Sequence, residues 1–221
     1  MSEKSMRLRK LTALAVLTAL AFAAVCLFRI PITSVEFLKY EPKDVIIAVA
    51  GFVFGPMAAL AVTVAASFIE LITISSTGLW GFLMNVLSSA AFAMTASFIY
   101  KKKKSAAGAV AGLLSGVVLA VGVMILWNWL VTPFYMGMSR ESVAAMLVPV
   151  ILPFNLLKYG LSAAFTLIIY KPAIAALSKA KLIGKKELAS EGVKTSAFVI
   201  AFGILAAASL ILVILTLTGV I

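Results

Sequence analysis

Two ionisable side chains and three amides interrupt the apolar stretches of this 221-residue chain. Glu70 and Lys158 carry opposite charges, and Asn85, Asn128 and Asn155 each offer hydrogen-bond donors and acceptors. Asn155 and Lys158 are three residues apart, which places them on one face of a helix. An amide and an ammonium on one face suit a flat, uncharged heterocycle whose edge alternates carbonyl oxygens, N–H groups and ring nitrogens.

The composition around these residues is that of an integral membrane protein. Hydrophobic residues make up 63% of the chain and charged residues 12%, whereas soluble domains average roughly 45–50% and about 25%. The absence of histidine and the single cysteine, Cys26, exclude imidazole catalysis, histidine metal sites and an internal disulfide. We expect the net charge of +11 to reflect basic cytoplasmic loops rather than nucleic-acid binding, and we expect no metal site.

Hydropathy predicts an all-α bundle, because roughly 20 apolar residues are needed to cross a bilayer as a helix. Gly55-Pro56 divides one long apolar run into two short spans, since proline disfavours helix at the residue before it. The expected organisation is a six-helix membrane domain (1–178), a basic cytoplasmic linker (179–195) and an additional C-terminal transmembrane helix (196–221). The six spans of the domain are predicted at 11–28, 43–55, 56–74, 79–100, 106–132 and 149–177.

The positive charges predict the orientation of these spans. With a cytoplasmic N-terminus, fourteen of the nineteen Lys and Arg residues lie inside, four lie outside and Lys158 lies within a span. At 1.5 Å per residue, the five polar residues then fall within roughly 10 Å of the outer face. Four helices therefore bring polar groups to one depth, which predicts a binding site beneath the outer surface.

Other features of the sequence complete this prediction. The loop 29–44 is long enough to act as a lid, the loop 133–148 resembles it, and the turn 78–81 lets backbone approach a ligand. Rows of small residues at four-residue spacing, in spans 1 and 5, predict close helix contacts. These rows are Ala15, Ala19 and Ala23, and Gly108, Gly112 and Gly116. Aromatic walls are expected from Trp80, Phe82, Trp127, Trp129, Phe134, Tyr135, Phe154 and Tyr159.

The residues alone leave several alternatives open. Lys158 can extend to the membrane interface or pair with Glu70, and the asparagines can simply bridge helices. Glu70 and Lys158 can also serve as acid and base in a small membrane enzyme. A purely structural helix bundle would bind no small molecule.

Five motifs, in order, resemble the riboflavin-binding S component of energy-coupling factor (ECF) vitamin transporters. The resemblance covers about residues 8–178. The motifs are FLKYEP-x-D (37–44), GFxxGP (51–56), GLWGFLMN (78–85), NWLVTPFYMG (128–137) and LPFNLLKYG (152–160).

This resemblance implies a substrate-capture subunit of a prokaryotic cell membrane rather than an enzyme, with no catalytic cofactor and riboflavin as the bound substrate. It implies Asn128, Asn155 and Lys158 as partners of the isoalloxazine ring, with further contacts from Leu38, Tyr40 and Gly78. Asn85 and Glu70 join the site on the grounds of depth given above. The implied partners are a transmembrane coupling subunit, which faces Ala15, Ala19 and Ala23, and two ATPase subunits. Another vitamin, such as thiamine, is the alternative ligand. The segment 196–221 departs from the six-span pattern of the family.

Overall fold

The computed structural model of the chain describes residues 3–31 and 38–183, together with 201–202, 204–206, 208–209, 211–213 and 215. Five helical segments are long and apolar enough to cross a membrane: Lys4–Leu27, Pro56–Thr73, Gly78–Lys102, Ala106–Leu130 and Arg140–Lys179. The helices are α1 (Glu3–Leu27), α2 (Lys43–Phe54), α3 (Pro56–Thr73), α4 (Gly78–Lys102), α5 (Ala106–Leu130), α6 (Thr132–Met136), α7 (Arg140–Met146) and α8 (Leu152–Lys179). A π-helical turn (Leu147–Ile151) joins α7 to α8.

The short helix α2 lies at the centre of the bundle. It has 12 residues, too few to cross a bilayer alone, and it packs against α1, α3, α4 and α8. Gly55, with φ of 94°, ends α2, and Pro56 begins α3. The predicted break at Gly55-Pro56 is therefore confirmed, whereas a count of six spans is not established by helix length.

The glycine row of α5 packs against α4. A Cβ atom at Gly112 would lie 2.5 Å from the carbonyl oxygen of Ala96, and one at Gly116 would lie 2.5 Å from that of Phe92. A Cβ at Gly108 would meet the carbonyl oxygen of Lys103. Because only glycine allows these approaches, the predicted helix contact is confirmed at Gly112 and Gly116, whereas Gly108 packs against the connection between α4 and α5.

The prediction of a lid-like loop over 133–148 is wrong for most of its length. Pro133 lies in the first turn of α6, and the Ser139 hydroxyl caps α7 by accepting a hydrogen bond from the backbone N–H of Ser142 at 3.1 Å. Pro149 lies in the π-helical turn. Such turns are rare and occur mostly as single turns within α-helices. The predicted turn 78–81 is also helical, because α4 begins at Gly78.

A small antiparallel hairpin closes the loop after α1. Its strands are β1 (Ile30–Pro31) and β2 (Lys39–Tyr40), with Ile30 opposite Tyr40. Residues 32–37 lie outside the described part of the chain. The hairpin brings the end of α1 next to the start of α2, so both ends of the loop 29–42 lie at one end of the bundle.

The C-terminal apolar run is described at eleven positions between 201 and 215, all of them helical in backbone. Ala201 and Leu205 pack against the core, and Ser209 is buried beside Gly160 of α8. The predicted bounds of the linker (179–195) and of the helix (196–221) lie largely outside the described residues.

Candidate functional site

A narrow polar cleft opens at the end of the bundle where the hairpin lies. It is formed where α1, α3 and α5 end and where α2, α4 and α8 begin, and its volume is about 70 Å³. Its lining consists of Arg29, Leu38, Lys39, Glu41, Glu70, Ser76, Thr77, Met84, Asn85, Ser88, Met124, Asn128, Tyr135, Phe154, Asn155 and Lys158.

Most of the site residues predicted from the sequence meet at this cleft. Leu38, Glu70, Asn85, Asn128, Asn155 and Lys158 line it. Tyr40 and Gly78 do not. Tyr40 is buried on β2, and Gly78 follows the lining residue Thr77.

The two amides of α5 and α8 are held by groups four residues away in the chain. Asn128 Nδ2 donates to the Met124 carbonyl oxygen at 2.7 Å, and its Oδ1 accepts from Thr132 Oγ1 at 2.9 Å. Asn155 Nδ2 donates to the Ile151 carbonyl oxygen at 2.8 Å. An amide has two N–H donors and two acceptor lone pairs, so each side chain is oriented and keeps hydrogen-bonding capacity at the cleft.

Four charged side chains form a compact cluster at one wall of the cleft. Lys43 Nζ lies 2.6 Å from Glu70 Oε2 and 2.9 Å from Glu41 Oε2. Arg29 Nη2 lies 2.8 Å from Glu70 Oε1 and 2.7 Å from Glu41 Oε1. We call Arg29, Glu41, Lys43 and Glu70 the charge cluster. Its two cations and two anions balance, which is the condition for burying such groups.

Asn85 supports this cluster from α4. Its Nδ2 donates to Glu70 Oε2 at 3.3 Å. Asn85 therefore joins α4 to the carboxylate of α3, in addition to lining the cleft.

Lys158 does not pair with Glu70, so that alternative from the sequence is wrong. Its Nζ lies 3.7 Å from Asp44 Oδ2, and Asp44 Oδ1 accepts a hydrogen bond from Ser89 of α4. The lysine is buried in the cleft wall rather than extended to the membrane interface. A second ion pair thus lies beside the charge cluster, on α2 and α8.

Burial and neighbouring positive charges shift the pKa of the loop residue Glu41 in opposite directions. Burial alone would raise the pKa of Glu41, but the positive charges of Lys43, Lys158 and Arg29 outweigh it and hold the pKa at about 2. Burial raises the pKa of Tyr40 to about 12, so this phenol is neutral at physiological pH.

Sequence reasoning missed five charged residues of the site as members: Arg29, Lys39, Glu41, Lys43 and Asp44. It assigned them to the loop 29–44, as parts of a lid or connector, because they lie where the apolar stretches end. The available signal was the density of alternating charge at the start of α2, where Glu41, Lys43 and Asp44 precede a continuous apolar run.

The predicted aromatic walls are only partly present. Tyr135 and Phe154 line the cleft, and Trp80 stacks on Tyr135 with ring centroids 6.3 Å apart. Trp129 and Phe134 are exposed on the outside of the bundle, Phe134 by 70%. Such positions near helix ends are typical of the interfacial aromatic belt.

The alanine row of α1 faces away from the core at its first two members. Ala15 and Ala19 are exposed, and Ala23 is half-buried. Its predicted role as a docking face stays a prediction.

Apolar helices that surround a polar cleft at one end define a membrane solute-binding protein. The family model of the ECF transporter substrate-specific component matches residues 9–170. The chain belongs to this family.

Two characterised relatives are similar over most of the chain. The riboflavin transporter FmnP of Bacillus subtilis (strain 168) is 28% identical over 177 residues, which are 75% of this chain and 93% of that protein. The riboflavin transporter RibU of Staphylococcus aureus (strain TCH60) is 28% identical over 171 residues, 74% of this chain and 89% of that protein.

A solved structure is similar as well. It is described as the S component of a bacterial ECF transporter, and it superposes with a TM-score of 0.67 at 26% identity. The superposition covers 77% of this chain and 98% of that structure. The family match ends at residue 170, so the C-terminal apolar run lies beyond it.

Proposed function

We propose that this S component captures riboflavin in the cleft and presents it for import. The observation that carries the proposal is the meeting of Asn128, Asn155 and Lys158, from α5 and α8, in one buried cleft. The names of both relatives, riboflavin transporters, support the same ligand.

The chemistry of the lining suits an uncharged, flat ring. The ammonium of Lys158 donates, and the amides of Asn128 and Asn155 both donate and accept, which matches a ring edge of carbonyl oxygens, N–H and nitrogen. Phe154 and Met124 supply apolar and polarisable surface for the ring faces. Leu38, Tyr40 and Gly78 belong to the proposed site as its surroundings, with Tyr40 and Gly78 outside the lining.

Ligand admission requires the cleft to widen. Its volume of about 70 Å³ is well below the roughly 300–1,000 Å³ of pockets that enclose molecules of this size. The described ends of the loop 29–42 line the cleft with Arg29, Leu38, Lys39 and Glu41. Arg29 and Glu41 also belong to the charge cluster. We assign to this loop the role of a lid that opens for riboflavin and closes over it.

The proposed orientation places the N-terminus in the cytoplasm and the cleft at the outer surface of the prokaryotic membrane. The sequence contains no GxxxxGK[ST] phosphate-binding motif. We therefore assign ATP hydrolysis to two partner ATPase subunits, linked through a transmembrane coupling subunit that docks on Ala15, Ala19 and Ala23.

The test is a titration of riboflavin with the purified chain in detergent, followed by quenching of flavin fluorescence. Saturable quenching at one flavin per chain, unaffected by excess thiamine, is the expected result. Displacement by thiamine would favour thiamine as the ligand, and no binding of either vitamin would refute the proposal.

An acid–base enzyme would need Glu70 and Lys158 to act together, but Glu70 forms salt bridges with Lys43 and Arg29 instead.

We also propose that the segment 196–221 crosses the membrane beside α8. Support comes from Ser209, whose Oγ lies 2.9 Å from the place of a Cβ at Gly160. In a Cys26→Ser background with a protease site inserted in the linker, Gly160→Cys with Ser209→Cys should form a disulfide. The two fragments should then separate only after reduction. The pair Gly160→Cys with Ile211→Cys, whose second position is exposed, is the control. Separation without reduction in the first pair would contradict this placement.

A further inference from the structure

Asp44 is a buried carboxylate with one unsatisfied oxygen. It lies in the first turn of α2 and is fully buried, at 0% exposure. Ser89 of α4 donates a hydrogen bond to Oδ1, whereas Oδ2 has no hydrogen-bond partner among the described residues. A buried charge requires compensation, and the one cation within salt-bridge distance of Oδ2 is Lys158 in the described part of the chain.

Among the described residues, Asp44 is the one carboxylate within salt-bridge distance of Lys158 Nζ. The carboxylates of Glu41 and Glu70 are both within 2.9 Å of Lys43 and within 2.8 Å of Arg29. Within residues 3–31 and 38–183, no hydrogen bond joins Lys158 Nζ to another protein group. The charge cluster is therefore neutral without Lys158, and Asp44 is the carboxylate closest to the Lys158 ammonium, although the charge of Lys158 also acts on Glu41.

The geometry of this pair leaves the ammonium available. At 3.7 Å, Asp44 Oδ2 attracts Lys158 Nζ without accepting a normal hydrogen bond. An ammonium has three N–H donors, and Lys158 lines the cleft. Ser89 fixes the carboxylate from a third helix, α4, so the position of the lysine is tied to the packing of α2 and α4.

We propose that Asp44 is the positioning residue of the cleft, which directs the Lys158 ammonium so that it donates to the bound ring. This inference rests on riboflavin as the ligand of the cleft. Asp44 does not line the cleft, so it acts through Lys158 rather than by touching the ligand.

The variant that tests this role is Asp44→Asn, which keeps the size of the side chain and an oxygen for Ser89 but removes the charge. We expect riboflavin affinity to fall roughly ten- to hundredfold, the size expected when a hydrogen bond from a charged donor is lost. Glu141→Gln removes an exposed carboxylate on α7 and should leave the affinity unchanged.

A double-mutant cycle with Lys158→Met separates positioning from a merely structural role. If Asp44 acts through the lysine, Asp44→Asn should change the affinity by less than about twofold in the Lys158→Met background. Equal losses in both backgrounds would overturn the inference. Should Asp44→Asn fail to fold, Ser89→Ala serves in its place, because it keeps both charges and removes only the hydrogen bond that holds the Asp44 carboxylate. Ser89→Ala should then weaken riboflavin binding in the unaltered background and have less than about a twofold effect in the Lys158→Met background.

The outcomes distinguish this inference from the proposed function. Absence of riboflavin binding by the unaltered chain would refute the proposed ligand. Normal binding by the unaltered chain together with unchanged affinity in a folded Asp44→Asn would overturn the role of Asp44 alone.

Discussion

Arg29 Nη2 lies 2.8 Å from Glu70 Oε1, so a side chain just after α1 is joined to α3 at the wall of the cleft. The Nε of the same guanidinium donates to Glu41 Oε1 at 2.8 Å, at the other end of the loop 29–42. Arg29 therefore fastens both ends of the proposed lid to the bundle. Because the cleft must widen to admit a ligand, these bonds are expected to control the rate of opening.

Arg29→Gln should accelerate both association and release of riboflavin, since it removes two charged contacts from the closed lid. Stopped-flow measurement of flavin fluorescence gives both rates. Arg140→Gln, which removes an exposed arginine from α7 at the same end of the bundle, should leave them unchanged. Unaltered kinetics in Arg29→Gln would show that the charge cluster does not hold the lid.

Lys43→Met should destabilise the fold strongly. Lys43 is completely buried between Glu41 and Glu70, and the loss of one partner from a buried ion pair costs about 3–5 kcal/mol. The free energy of unfolding in detergent measures the effect. The control is Lys39→Met, at a partly exposed position on β2. A second change, Glu70→Gln, should recover part of the loss, because it removes the excess negative charge left when Arg29 alone faces two carboxylates. Equal stability of the Lys43 and Lys39 variants would argue against a buried network.

The ionisation of Glu41 predicts a specific acid response. Its pKa is lowered to about 2 in the folded protein, so the folded state favours the carboxylate. The stability that this group contributes is therefore complete above its ordinary pKa of 4.5 and is lost as the pH falls through about 2. The stability difference between the unaltered chain and Glu41→Gln should be constant from pH 6 to 8 and should shrink below about pH 4.5. If this stability difference grew as the pH fell, it would contradict a lowered pKa of Glu41 in the folded protein.

Two glycines of α5 should respond to alanine in opposite directions. A Cβ at Gly112 would lie 2.5 Å from the Ala96 carbonyl oxygen, so Gly112→Ala should destabilise the bundle by about 1–3 kcal/mol. A Cβ at Gly122 meets nothing within 4 Å, so Gly122→Ala should stabilise the helix by up to about 1 kcal/mol. Thermal unfolding in detergent distinguishes the two. Similar effects of both substitutions would contradict the close contact of α4 and α5.

The sequence predicted the cleft better than it predicted the charges around it. Glu70, Asn85, Asn128, Asn155 and Lys158 lie in apolar runs, where any polar residue is conspicuous, and all of them line the cleft. The depth argument worked because helical rise converts residue number directly into position along the bundle.

The charged residues at the start of α2 were not recognisable in the same way. Lys43 and Asp44 lie at the boundary of an apolar run, where charges are normally solvated, and their burial arises from helices distant in sequence. The pairing of Lys158 with Asp44 rather than Glu70 likewise depends on tertiary contacts. Within 133–148, α6 has a proline in its first turn and α7 has a serine cap, and hydropathy registers neither of these local signals.

Riboflavin affinity in Asn155→Ala combined with Lys158→Met tests the location of the site most directly. Lys102→Met, at an exposed position at the other end of α4, controls for the loss of a positive charge. If the amide and the ammonium hold the ring, the double variant should bind at least about a hundredfold more weakly, while the control binds normally. A folded double variant that retained full affinity would contradict the account, because the ligand would then bind elsewhere.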